Sequence, residues 1–143
     1  MSTTPKRIHL RGSGIQEEAI AASAIRPGDL IDVDTNGKVA KHASAGGWAE
    51  KAFALEDALQ GKDIDQNYAA DDRVSFVIAH PGDIVLAWLS GGETATKGSY
   101  LTSNGDGSLK VASSTDVRVA KALEAVDASD SADVDERIKV RIL

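Results

Sequence analysis

The stretch RVSFVIAHPGDIVLAWL, residues 73–89, carries the pattern that decides the fold class. Val74, Phe76 and Ile78 alternate with their neighbours, and this period of two is typical of a strand with one buried face. The tripeptide Pro81-Gly82-Asp83 favours a tight turn, and the apolar run that follows it is rich in residues that favour strands. The stretch therefore predicts two strands joined by a turn.

Similar short strands and tight turns continue on both sides of this stretch. Residues 25–40 read as a hairpin whose turn contains Asn36-Gly37, the strongest short hairpin signal. Residues 100–111 repeat this organisation around a hairpin tip. At the C-terminus, residues 136–142 alternate apolar and cationic side chains, which indicates a strand with one buried and one cationic face.

Two further segments carry weaker signals. In residues 48–60 we expect a strand through 53–55, followed by a turn or a short helix, and residues 117–126 read as a strand. Many short strands at regular spacing, separated by tight turns, are typical of a small barrel or sandwich. We predict a mainly β fold, with a small antiparallel β-barrel or sandwich body, an extended N-terminal arm and at most one or two short helices.

Length and charge exclude several classes of function. The 143 residues fit a single domain. The formal net charge is −6, and an acidic chain is a poor candidate for general nucleic-acid binding, which requires neutralisation of phosphates. The longest uninterrupted apolar stretch, Ile84–Leu89, is far shorter than the roughly 20 residues that span a bilayer. We therefore expect neither nucleic acid nor a membrane as a partner.

The N-terminus differs in charge from the rest of the chain. Its first sixteen residues contain three basic residues and no acidic one, whereas the remainder carries a formal net charge of −9. Ile8 and Leu10 alternate with polar residues, as in a short strand. Such a terminal strand needs an edge in its own sheet or in a partner's sheet, and a solvated terminus is the alternative. We divide the chain into an extended N-terminal arm, residues 1–15, and a single β-rich body domain, residues 16–143.

No group of residues has the spacing of a catalytic, cofactor or metal site. The chain has no cysteine, and its three histidines lie far apart in sequence, so thiolate chemistry is excluded and a zinc site is poorly supported. Residues 32–37 match the start of an EF-hand calcium loop, but Ala43 stands where that loop needs a bidentate glutamate. The aspartates of residues 127–135 indicate a solvated acidic loop. We expect no enzymatic activity, no cofactor and no metal.

The aromatic residues are candidates either for packing or for binding. Phe53, Phe76 and Trp88 stand in predicted strands, so we expect them to fill the core. Trp48 follows Gly46-Gly47, and the sequence leaves open whether it is a core residue or an interface residue. Trp48 is therefore the candidate interface aromatic.

The sequence also contains a weak internal similarity. Residues 27–31, Pro-Gly-Asp-Leu-Ile, recur as residues 81–85, Pro-Gly-Asp-Ile-Val. We favour convergent turn chemistry over a true repeat, because glycine is required wherever a turn needs a positive φ.

The order of these segments resembles that of the head decoration, or cement, proteins of tailed bacteriophages. The resemblance covers most of the chain and depends on order and spacing rather than on one diagnostic motif. Its segments are residues 24–31, 36–39, 52–57 and 61–64, then Tyr68, residues 72–74, the turn at 81–83 and the closing Val-rich hairpin. The chain departs from the pattern at Asp71-Asp72, where Gly-Asp is expected before Val74.

The resemblance implies a β-rich body with an extended arm, on the outer capsid surface of a virion, made in the host cytoplasm. Such proteins bind after the shell expands, typically as trimers, and clamp adjacent major capsid subunits. The expected partners are therefore the major capsid protein and further copies of the chain in a homotrimer. The predicted capsid-binding arm comprises Lys6, Arg7, Ile8, His9, Leu10 and Arg11.

A small β-barrel that binds a carbohydrate or a similar ligand is the alternative function. Its binding platform would consist of Trp48 and Tyr68, both exposed. An enzyme would need a catalytic cluster, and the sequence contains none.

Overall fold

A computed structural model describes residues 7–129 and 134–143. The strands of this part are β1 (His9–Arg11), β2 (Ile15–Ile20), β3 (Leu30–Val33), β4 (Val39–Lys41), β5 (Ala52–Ala54), β6 (Arg73–Ile78), β7 (Ile84–Leu89), β8 (Thr94–Ala95), β9 (Tyr100–Ser103), β10 (Leu109–Val111), β11 (Ala120–Ala122), β12 (Val126–Asp127) and β13 (Glu136–Ile142). Its helical content is a 3₁₀ turn, Ala58–Gln60. No helix in these two ranges is long and apolar enough to cross a membrane. The predicted mainly β fold is confirmed.

Strands β2 to β6 form what we call the first barrel. Their order is β2-β6-β5-β3-β4, and every neighbouring pair is antiparallel. The ring closes just beyond β2, where the Ala22 N–H donates a hydrogen bond of 2.8 Å to the Val39 carbonyl. Ala52 and Ala54 belong to the interior cluster of this barrel together with Phe76. The small alanine side chains leave space for the large ring.

Strands β7, β9, β10, β11 and β13 form the second barrel. Their order is β7-β10-β9-β11-β13, and β13 returns to pair with β7 over six residues, so the sheet closes on itself. Ile138, Val140 and Ile142 are buried, whereas Lys139 and Arg141 between them are exposed. The alternation predicted for the C-terminal strand is confirmed, because the pleat of a strand sends successive side chains to opposite faces.

The largest hydrophobic core contains residues of both barrels. β5 is buried on both faces, because its two alanines face the interior of the first barrel and Phe53 points the other way. Phe53 belongs to one cluster with Leu30 and Val77 of the first barrel and with Leu89 and Ile138 of the second. Burial of this shared apolar surface stabilises both barrels at once.

The two Pro-Gly-Asp turns share one hydrogen-bond pattern. The Asp29 carboxylate accepts from the backbone N–H three residues before it, at 2.8 Å, and the Asp83 carboxylate does the same at 3.1 Å. Asp72 repeats the pattern at 2.8 Å without any Pro-Gly, and Asp71 there adopts φ 72°, close to the φ of 96° at Gly82. Asp71 thus replaces the glycine expected from the decoration-protein pattern. The third copy of the turn supports convergent turn chemistry as the source of the internal similarity.

One segment differs from its prediction, and one strand was not predicted. Residues 117–126 form the two short strands β11 and β12 with a bend between them, instead of one strand. β2, with the sequence IQEEAI, lacks a period-two pattern but pairs with β6 over six residues. Pairing with a neighbouring strand, which is a tertiary contact, makes this polar segment a strand.

Candidate functional site

The N-terminal strand β1 belongs to the body of the protein. It pairs antiparallel with β7, with His9 opposite Val85 and Arg11 opposite Ile84. Ile8, just before it, is completely buried in the shared core, and its carbonyl accepts a 2.8 Å hydrogen bond from the Leu86 N–H. The edge that this strand requires is therefore in its own sheet.

Asp83 fixes the segment that follows β1. Its carboxylate accepts hydrogen bonds from the N–H groups of Ser13 (3.3 Å) and Gly14 (3.0 Å), and it lies 3.2 Å from His9 Nε2. Burial opposes ionisation, but the hydrogen bonds from His80, His9 and Ser13 outweigh it and lower the pKa of Asp83. A side chain at Gly12 would collide with this carboxylate.

These contacts revise the prediction of an extended arm. Residues 8–14 are part of the folded body, and Ile8 is not available to a partner. Lys6 lies outside the described residues. His9 and Leu10 are half-buried, and Arg7 and Arg11 are exposed. The capsid contact stays a prediction, and among the residues proposed for it the two arginines are the exposed ones.

Trp48 is the most prominent exposed aromatic side chain of the described chain. Its exposed fraction is 84%, so it is not a core residue. His42, which is buried, holds the loop in place: its Nε2–H donates to the Trp48 carbonyl (2.6 Å), and its Nδ1 forms a hydrogen bond with the Ser103 hydroxyl (2.6 Å). The carbonyl can only accept, which places a proton on Nε2. Gly46 in the same loop donates through its N–H to the Ser103 carbonyl at 2.9 Å. A fixed loop thus presents the indole to solvent.

The other aromatic predictions have mixed outcomes. Phe53 and Phe76 are buried, as predicted for core residues. Tyr68 is also buried: its hydroxyl donates to the Leu55 carbonyl at 2.7 Å, and burial raises its pKa to about 12. The prediction of Tyr68 as an exposed binding platform is therefore wrong, because Tyr68 bridges to Ile25 in the wall of the first barrel.

Trp88 connects the two barrels through polar and cation–π contacts and does not fill the core. The centre of its ring lies 4.4 Å from the guanidinium carbon of Arg26 and 4.2 Å from that of Arg137, and its Nε1–H donates to the Pro27 carbonyl at 3.0 Å. Arg26 also pairs with Asp135 at 3.0 Å. The prediction of Trp88 as a core residue is thus wrong, because a half-buried strand face offers the ring two cations.

The described acidic residues of the predicted loop 127–135 are engaged in local contacts. Asp135 accepts a hydrogen bond from the Gly91 N–H at 2.9 Å in addition to its pairing with Arg26, and Asp127 accepts from the Thr94 hydroxyl at 2.9 Å. Residues 130–133 lie outside the described part. Within residues 7–129 and 134–143, no group of three acidic or histidine side chains is placed to hold a metal ion.

A cleft of about 360 Å³ lies beside β1. Arg7, Glu18, Glu56 and Leu59 are among the side chains that line it, and Leu59 is 89% exposed. The Glu56 carboxylate also accepts a hydrogen bond from the Ile8 N–H at 3.0 Å, so Glu56 anchors the N-terminal segment in addition to lining the cleft. The cleft mixes both signs of charge with exposed apolar surface, a composition that suits contact with another protein.

Comparison with solved structures finds a similar fold in a phage protein. The head fiber gp8.5 N base of bacteriophage phi29 matches with a TM-score of 0.60 at 11% sequence identity. The match covers 92% of this chain and 95% of that chain. Neither a protein-family model nor a curated protein matches the chain. The likeness shows that the two proteins share one fold over nearly their full lengths.

Proposed function

We propose that this chain is a non-enzymatic structural protein of a bacteriophage head, where it decorates the outer surface of the capsid. In this proposal, homotrimers bind the expanded shell and clamp adjacent major capsid subunits. The observation that carries it is the match in fold, over nearly all of both chains, with the base of a phage head fiber. The order of segments that resembles decoration proteins supports the same assignment.

The Trp48 loop is the contact we assign to the shell. Tryptophan is enriched among the residues that dominate binding energy at interfaces. The hydrogen bonds of His42 hold the Trp48 backbone in place before binding, so little conformational entropy is lost when the indole enters a pocket. Arg7 and Arg11 add exposed cations elsewhere on the surface. Many modest contacts of this kind suffice for decoration, because neighbouring copies engage subunits that already lie close together.

Co-sedimentation with expanded shells that lack the protein tests this function. We expect saturable binding near one copy per capsid subunit. Trp48→Ala should weaken binding at least about thirtyfold, because loss of a tryptophan hot spot costs about 2 kcal/mol or more. Val134→Ala is the control, because Val134 is an exposed apolar side chain that lies outside both the Trp48 loop and the cleft beside β1. Absence of binding to both expanded and unexpanded shells would remove the proposal.

The exposure of Trp48 also favours the carbohydrate-binding alternative, although Tyr68 no longer contributes to it. Titration of the protein with glycans separates the two functions. The fluorescence of Trp48 should be quenched saturably by a bound sugar, and Trp48→Ala should abolish the change while Trp88 still emits. Unchanged fluorescence, together with binding to shells, would exclude this alternative.

A further inference from the structure

One outer face of the second barrel is cationic, although the chain as a whole is acidic. We call this surface the cationic face, and it comprises Tyr100, Arg118, Lys121, Lys139 and Arg141. Lys121 stands opposite Arg141 on one side and opposite Tyr100 on the other, so the three share one face of the sheet. Lys139 precedes Arg141 by two residues on β13 and faces the same way. The guanidinium of Arg118 lies 4.2 Å from the Tyr100 ring.

This arrangement is unfavourable for the isolated chain. Two like charges directly opposite each other in neighbouring strands destabilise a sheet. None of the ion pairs among the described residues involves the four cations of this face. The nearby Glu124 carboxylate accepts the backbone N–H of Lys139, at 2.9 Å. Without these four cations the rest of the chain carries a formal net charge of −10.

The composition of the cationic face is that of an interface. Tyr and Arg are enriched among the residues that dominate binding energy between proteins. Tyr100 is 39% exposed, and Arg118 beside it is exposed as well. Stacking on the ring orients the guanidinium before a partner arrives, so the pair is prepared for contact with a carboxylate.

A complementary acidic surface is present on the first barrel. Residues 15–80 contain twelve acidic and six basic residues. Many of these carboxylates already accept hydrogen bonds from the backbone of the same chain. Asp29 and Asp72 do so within turns, and Glu56 accepts from the Ile8 N–H. Glu17 and Glu18 point to opposite faces of β2, but both are exposed and flank its outer edge, which no other strand covers within residues 7–129 and 134–143. Glu18 makes only a loose contact of 3.5 Å with the exposed Arg73.

We propose that the cationic face of one copy docks against the acidic edge at β2 of the first barrel of a second copy. The contact is head to tail, because face-to-face pairing around a two-fold axis would bring the four cations of each copy together. Each chain carries both surfaces, so repetition of the contact closes a ring when the rotation fits. The inference rests on the proposed homotrimer and deepens it, since it names the surfaces that join the copies.

The test is the oligomeric state of the full chain, measured by sedimentation velocity at low ionic strength, about 10 mM, where the Debye length is about 30 Å. We expect a concentration-dependent oligomer that dissociates in about 1 M salt, where that length is about 3 Å. The variant K121E/R141E should weaken association about a hundredfold, because it places like charges against each other. The variant E17K/E18K should do the same.

The combined variant K121E/R141E/E17K/E18K distinguishes the proposed contact from a general effect of charge. It reverses both surfaces, so it should recover the association that either pair alone loses. The variant K38E/K62E is the matched control, because it makes the same change in net charge as K121E/R141E on the barrel that is already acidic. It should leave association intact.

Two results would overturn the inference. One is a monomer at low ionic strength and high protein concentration, and the other is a combined variant that associates no better than the two separate reversals. Binding of duplex DNA by the cationic face of such a monomer would assign that face to a different partner. Co-sedimentation with shells is a separate measurement, so failure of this contact and failure of capsid decoration give different results.

Discussion

The two barrels are of similar size, but they close differently. In the second barrel, β13 pairs with β7 over six residues, and the ring is continuous. The first barrel closes only beyond β2, through the contact of Ala22 with Val39, so β2 itself has no second strand beside it within residues 7–129 and 134–143. An unpaired edge exposes polar groups to partners. The continuous ring therefore leaves no strand edge open at its closure, whereas the looser ring leaves the outer edge of β2 without a neighbouring strand among the described residues.

The largest effect is expected from truncating Phe53, the aromatic side chain in the core that both barrels share. Phe53→Ala should destabilise the protein by about 3–5 kcal/mol, the range for truncation of a buried phenylalanine. Denaturant unfolding followed by circular dichroism and by tryptophan fluorescence should give one common transition, shifted to lower denaturant. Two separate transitions, with only one of them shifted, would show that the barrels unfold independently.

A smaller effect is expected where the N-terminal segment joins the second barrel. Asp83→Ala should cost about 1–3 kcal/mol, because it leaves the N–H groups of Ser13 and Gly14 without their acceptor. Hydrogen exchange should accelerate at residues 8–14 well before the rest of the body opens.

Asp72→Ala is the control for that experiment. Asp72 caps the same kind of turn, but its carboxylate accepts from the N–H of Ala69 within the turn. It should leave exchange at residues 8–14 unchanged. Equal acceleration in the two variants would contradict the role we assign to Asp83.

The smallest expected effect is a pH dependence from the same carboxylate. The hydrogen bonds to Asp83 lower its pKa in the folded protein, so its contribution to stability is complete above the unfolded value of about 4. That contribution is lost as the pH falls through the lower folded pKa, because protonation is then more favourable in the unfolded chain. Asp83→Asn should reduce the slope of unfolding free energy against pH below about 4. An unchanged slope would show that Asp83 does not control acid stability.

Local pattern was sufficient to predict much of the fold. Alternation in residues 74–78 and 138–142 identified two strands, since period two follows directly from the pleat. In β6 both faces are buried, because Val77 packs into the core that both barrels share. The hairpin at Asn36-Gly37 was equally predictable from the sequence, because few residues other than glycine adopt a positive φ readily. β2 was not predictable, since its strand conformation depends on pairing with β6, which is distant in sequence.

The candidate site was less predictable than the fold. The sequence named Trp48 as a candidate interface residue, but its exposure depends on His42 and Ser103, which meet from different barrels. The cationic face likewise joins residues of β9, β11 and β13, and only the register between these strands sets Lys121 opposite Arg141. No periodicity of side chains along the sequence predicts which residues of distant strands lie opposite each other.

The sequence by itself determined the class of fold, the positions of most strands and turns, and the acidic character of the chain, because each follows from side-chain periodicity, turn chemistry or composition. Only the tertiary structure decided that β1 pairs with β7, that Ile8 is buried and that Trp48 is exposed. Strand pairing and burial depend on which distant segments meet. The carboxylate of Asp83, about seventy residues from Ser13 and Gly14, turns a segment that reads as a terminal arm into part of the body.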